Sequence, residues 1–272
     1  MRYRLLATDV DETLLPHAGG ISDRVRAAIG RAQQQGVLVT LASGRTFGDT
    51  SKYARELGID LPLISHQGAL VKHPLSGEVL HEDLLPTEIM REVIHFCRER
   101  DLHLNVYIDD ETFMEKTGRE FELYSALSRK PQQPVPDLMD VLTRMPTKFI
   151  IVSTTPEGIE ATLPLVRAHF AGRLSVLRSH PLLIEGVMAT VSKGRALAVL
   201  AKYLGVRQME TAAIGDNEND MEMLAWAGLG MAMGNATPQV QAVADCVLPP
   251  ISEDGAAYGI ERYVLDDGQH GR

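Results

Sequence analysis

LLATDVDETLL, Leu5 to Leu15, decides the fold. Leu5-Leu6-Ala7 reads as a short apolar strand, and it stops at Asp9, with Asp11 close behind. Downstream, after the turn signal Gly19-Gly20, apolar residues recur at helical spacing at Ile21, Val25, Ile29 and Ala32, with Ser22 placed to cap the helix and Gly36 to stop it. Val37 to Ala42 is then a near-continuous apolar run that ends in Ser43-Gly44-Arg45. A strand apolar on both faces is buried on both faces, which calls for a parallel sheet covered by helices. A helix near 47–57 and a strand at 61–65 continue the alternation.

The same rhythm returns late in the chain. Ser192 can cap a helix with an apolar stripe of Leu197, Leu200, Ala201 and Leu204, closed by Gly205. Strands are expected at 211–214, ending in Gly215-Asp216, and at 229–233 and 246–248, with helices through Met221 and Leu224 and near 238–244. Between the halves the texture changes. Residues 84–188 carry helices near 87–100 and 156–170, strands at 102–108, 148–153 and 175–178, and a Pro-rich loop from Lys130 to Pro136. The expected architecture is a doubly wound, mainly parallel, Rossmann-like α/β core formed by 1–83 and 189–272, with 84–188 inserted as a separate α/β domain.

Composition narrows the function. The 272 residues carry 27 Lys plus Arg against 36 Asp plus Glu, a formal charge of −9, which is the wrong sign for nucleic-acid binding. No apolar run reaches the roughly 18 residues of a membrane span. The N-terminus meets an acidic residue too early for a signal peptide, so the expected location is the cytoplasm. Cys97 and Cys246 form no metal or redox pattern. Oligomeric state is open between a monomer and a small homo-oligomer.

Three of the apolar strands end in Asp9, Ser43 and Asp216. In a doubly wound sheet the carboxyl ends of the strands border the ligand crevice. Carboxylates converging there repel one another unless a cation lies among them, and hard oxygen ligands suit Mg2+. Taken singly, each piece also has an ordinary reading: turn formers at Asp9 and Asp11, an acidic helix start at 216–220, a simple turn at 43–45. Lys193 stands out, because a cation in the first turn of a helix opposes the macrodipole. It is either a surface lysine or the counter-charge of an anion held in the crevice. The glycines of 228–234 miss the dinucleotide spacing, which excludes that site.

Together these pieces resemble the haloacid dehalogenase superfamily, in its Cof-type, sugar-phosphatase-like branch with a large α/β cap. The motifs that carry the resemblance are DVDETLL from Asp9, TLASGR ending at Arg45, SKG around Lys193 and GDNENDMEML from Gly215. AGLGMAMGNATPQVQAVAD at 227–245 and ISEDGAAYGIE at 251–261 extend it across the core. The resemblance implies a Mg2+-dependent phosphatase acting on small phosphorylated metabolites. Asp9 would be the nucleophile that forms an aspartyl-phosphate, and Asp11 the general acid and base. Mg2+ would be held by Asp9, the Asp11 backbone carbonyl and Asp216. Ser43, Gly44 (through backbone amides of its turn), Lys193 and Asn219 would grip the phosphoryl oxygens. Asp220 would orient Lys193 or a metal-bound water, and Arg45 would either touch substrate or form a salt bridge. The cap would exclude water and choose the leaving group, with Tyr107, Lys148, Arg178 and His180 as candidates. A phosphotransferase or mutase using the same intermediate remains open, as does a non-catalytic phosphoryl-binding relative. The chain departs from the family's common pattern at Glu12, where Gly is usual, and at Gln67, where Asn is frequent before Gly-Ala. It also lacks the Pro and Gly often found just before Ser192.

Overall fold

All four side chains of the strand Leu5–Thr8 are buried, because the strand lies inside a five-stranded sheet with a parallel neighbour on each side. The computed structural model describes residues 2–128 and 131–265. The sheet order is Cys246–Val247, Leu229–Ala232, Thr211–Gly215, Leu5–Thr8, Leu38–Leu41, and every pairing is parallel. Strand side chains alternate between two apolar clusters. Leu6, Val39, Leu41 and Ile214 join the helix Asp23–Gln34 on one face, while Leu5, Ala7 and Ala213 join the helices Lys193–Tyr203 and Met221–Trp226 on the other. This is the doubly wound arrangement expected from runs apolar on both faces.

Local signals act where they were read. The Ser22 hydroxyl accepts from the Val25 amide at 3.2 Å, and Gly36 takes a φ of +86° just past the helix end. The strand expected at 61–65 is Leu63–Ser65, and it leaves the parallel series. It pairs antiparallel in a three-stranded sheet with Leu70–Lys72 and Val79–Glu82, keeping one parallel bridge, Ile64 to Ala42, to the main sheet.

The chain divides into two compact units, 1–82 with 192–272 and 83–191. The second holds a six-stranded sheet in the order Leu174–His180, Leu183–Met188, Lys148–Val152, His103–Ile108, Glu111–Met114, Gln133–Pro134. All its pairings are antiparallel except the last. One face packs against the helices Thr87–Glu99 and Pro156–His169. On the other, Tyr107, Ile150 and Val152 pack with Tyr124 of the helix Arg119–Ser128. The Pro-rich stretch includes the short strand Gln133–Pro134, while Lys130 at its start lies outside the described residues. Of the four candidates here, Lys148 is buried in an ion pair with Glu185. Tyr107 is buried beneath it and hydrogen-bonded to Tyr124. Arg178 lies 3.6 Å from Glu160, and the His180 ring accepts from the Leu182 amide.

Candidate active site

Asp9 and Asp216 each follow the last residue of a strand, and the two strands are parallel neighbours with Thr8 opposite Ile214. Their carboxylates therefore emerge at the same end of the sheet. The chain winds to one side of Leu5–Thr8 through Leu38–Leu41 and to the other through Thr211–Gly215, so this end is the topological switch point. Ser43, two residues past Leu41, is buried at the same end.

Lys193 reaches this point from the first residue of its helix. Its side chain has no solvent exposure, and Nζ donates to Asp9 Oδ1 and to Asp220 Oδ1, both at 2.6 Å. That excludes the surface-lysine reading. Two carboxylates outweigh the unfavourable helix dipole at this position. Burial by itself would pull the Lys193 ammonium down, but Asp220 and Asp9 reverse this and raise it, so it stays charged. Asp220 is fully engaged, because its Oδ2 also accepts from the Asp216 and Asn217 amides at 3.0 and 3.1 Å.

Carboxylate oxygens of Asp9, Asp216 and Asp220 lie within 4.8 Å of one another. Three carboxylates face one ammonium, leaving two negative charges unmatched. Burial holds Asp9 well above the usual carboxylate range despite Lys193, with Asp220 and Asp216 adding to the rise. Asp216 is pushed up to about 7, first by burial and then by Asp220, while Thr13 and Lys193 oppose the shift. A set of crowded, hard oxygen donors short of two positive charges fits a divalent cation such as Mg2+.

Asp11 lies apart from this cluster. Its carboxylate accepts a two-pronged bond from Arg45, at 2.8 Å from Nε and 2.6 Å from Nη2, and the guanidinium also lies over the Tyr53 ring. Arg45 is thus a salt-bridge partner here. At the Ser43 turn, the Ser43 amide donates to the Ile64 carbonyl at 2.9 Å, and the Arg45 amide to Ser43 Oγ at 3.1 Å. Those two amides are engaged within the fold, the first because the parallel bridge to Ile64 claims it. Asn219 Nδ2 donates to Gln67 Oε1 at 2.7 Å.

Two residues escaped assignment from sequence. Thr13, buried, donates to Asp216 Oδ1 at 2.8 Å and so orients that carboxylate. The T of D-x-D-x-T was the available signal. Asn235 bridges the Glu12 carbonyl and the Ile251 amide, tying the first acidic loop to the segment 251–261.

A doubly wound core with clustered acids and a buried lysine at its switch point has the architecture of an enzyme's active site. Residues 6–260 match the haloacid dehalogenase-like hydrolases, and the chain belongs to that family, in its Cof-type branch. It is 32% identical over 247 residues to an HMP-PP phosphatase of Serratia proteamaculans, covering 89% of this chain and 87% of that protein. It is 28% identical to phosphatase YwpJ of Bacillus subtilis, covering 94% and 98% respectively. A haloacid dehalogenase-like hydrolase from Bacteroides thetaiotaomicron superposes with a TM-score of 0.86 at 30% identity, over 96% of this chain and 99% of that one. Among the described residues no helix is long and apolar enough to cross a membrane.

Proposed function

We propose that this chain is a Mg2+-dependent cytoplasmic phosphatase that hydrolyses small phosphorylated metabolites through an aspartyl-phosphate on Asp9. The observation that carries the reading is the solvent-free Lys193 ammonium on Asp9, at the carboxyl end of the strand Leu5–Thr8. It fixes the nucleophile's orientation and supplies positive charge where a phosphoryl group would arrive. The relatives named as phosphatases support the same chemistry.

An Asp9 carboxylate oxygen attacks phosphorus, and the bond to the leaving oxygen breaks with its electron pair. Asp11 gives that oxygen a proton. It then takes one from the water that attacks phosphorus and releases Asp9. Both Asp11 oxygens accept from Arg45, so this role requires the guanidinium fork to open. Ser43, the backbone of Gly44, Lys193 and Asn219 hold the phosphoryl oxygens, and Asp220 positions Lys193. Asp9, the Asp11 backbone carbonyl and Asp216 would hold Mg2+, which screens the repulsion between carboxylate and phosphate.

The test is turnover of p-nitrophenyl phosphate and a panel of phosphorylated sugars and cofactors with Mg2+, in wild type and Asp9→Asn. Wild-type hydrolysis that is silenced by chelator and abolished in Asp9→Asn is expected. Retention of more than a small fraction of kcat in Asp9→Asn overturns the covalent route. Incorporation of labelled water oxygen into phosphate distinguishes hydrolysis from transfer to a second hydroxyl.

A further inference from the structure

Gln67 touches two of the segments expected to hold the phosphoryl group, and its neighbour touches a third. Its backbone N–H donates to the Ser43 carbonyl at 3.1 Å, and its side-chain Oε1 accepts from Asn219 Nδ2 at 2.7 Å. The Gln67 amide lies so close over Gly44 that a Cβ there would fall 2.3 Å from Nε2. Gly68 packs against the peptide of Ser192, where a Cβ would fall 2.4 Å from the carbonyl oxygen. The turn 66–68 is thus the meeting point of 43–44, Ser192 and Asn219.

The backbone of this turn is unusual. His66, Gln67 and Gly68 are consecutive and left-handed, with φ of 50°, 64° and 104°, and all three are buried. L side chains hold such a conformation only where the surroundings impose it. Here it aims the Gln67 amide at Asn219. That bond decides how the Asn219 amide points: turned over, its Oδ1 would face Gln67 Oε1, acceptor against acceptor. Among the described residues Gln67 is the only hydrogen-bond partner of the Asn219 side chain, whose Oδ1 is buried without one. One N–H of Nδ2 is bound to Gln67, and the second is left for an anion.

We propose that Gln67 is a positioning residue of the phosphoryl site, which locks the Asn219 amide with its free N–H toward a phosphoryl oxygen. This rests on the phosphatase reading. Gln67→Met keeps length and bulk but removes the acceptor, and Gln67→Asn restores an acceptor on a shorter arm. The full-length protein with Mg2+ is assayed on p-nitrophenyl phosphate, with inorganic phosphate as competitor and thermal melting as control.

Gln67→Met should raise KM and the inhibition constant of phosphate about tenfold, the worth of one lost hydrogen-bond constraint, with kcat changed less than about threefold. Gln67→Asn should recover most of the loss. In an Asn219→Ala background, Gln67→Met should add less than about twofold, since a residue acting through Asn219 has nothing left to orient. A loss in Gln67→Met that persists in full on Asn219→Ala, or an unchanged KM, overturns the assignment while the phosphatase reading stands. A wild type that neither hydrolyses the ester nor binds phosphate overturns both, and is recognised before any variant is made.

Discussion

Glu12 has a φ of +54° and Gln67 one of +64°, so these two departures from the resembled family fall on left-handed backbone. Gly and Asn, the usual residues there, are those that enter this region at least cost. The chain therefore keeps the backbone and changes only the side chain. Glu12→Gly should leave activity and melting temperature intact, whereas Glu12→Val should cost about 1–2 kcal/mol in denaturant unfolding. Equal stability of the two variants would show that the loop relaxes. Asp216 sets a pH dependence at the same scale. Its carboxyl, raised to about 7, holds a proton in the metal-free folded state at pH values where the unfolded chain, near 3.8, has released it. The folded state then binds more protons, so metal-free stability falls as pH rises from about 4 to about 7. Asp9, also raised, adds to the same trend. Mg2+ competes with that proton and should bind more weakly as pH falls below about 7. Melting curves with chelator and with Mg2+ across that range check both signs, and a flat metal-free profile would contradict the crowding of acids around Asp216.

Elements were legible where one local signal was enough. Leu5–Thr8 and Leu38–Leu41 show themselves as apolar runs ending in chemistry, and Asp23–Gln34 and Lys193–Tyr203 as capped stripes. The site residues on these strand ends were legible for the same reason. Several elements were missed, among them the helix Arg119–Ser128 and the two-residue strand Gln133–Pro134. Glu111–Met114 follows a turn at Asp109-Asp110, with φ of 49° and 67°, that lacks the glycine marking most such hairpins. Leu183–Met188 carries Glu185, whose charge reads as surface, yet Lys148 pairs with it inside the unit. Leu70–Lys72 and Val79–Glu82 are short, and the second is partly exposed. The partners that stabilise these elements are distant in sequence, so no local pattern announces them. The helix Lys193–Tyr203 sets two effects against each other. Removing Lys193 relieves an unfavourable dipole contact of about 0.3–1 kcal/mol, but strips two buried carboxylates of their partner, worth about 3–5 kcal/mol. Lys193→Met should therefore unfold earlier in denaturant at pH 8, by about 3 kcal/mol, and bind phosphate weakly. A gain in stability would mean that Asp9 and Asp220 find other relief.

At the scale of the molecule, every residue proposed for phosphoryl chemistry lies in the unit 1–82 with 192–272. Residues 83–191 form a second unit with apolar clusters of its own. Separate cores allow separate folding. The proposal that follows is a division of labour, with hydrolysis in the first unit and choice of leaving group in the second. Lys148 and Tyr107 are committed to the interior of the second unit, so changing them tests packing as much as recognition. Excising 83–191 and joining Glu82 to Ser192 by a flexible linker is the more decisive experiment. The shortened protein should keep Mg2+ binding and cleave p-nitrophenyl phosphate slowly, because water exclusion is lost. Its preference among natural phosphate esters should flatten, since discrimination needs contacts that differ between leaving groups. The measurement is the ranking of kcat/KM across the substrate panel, set beside that of the whole chain. A soluble, metal-binding core that kept the full ranking would place specificity in the first unit, among the residues that surround Asp9 itself.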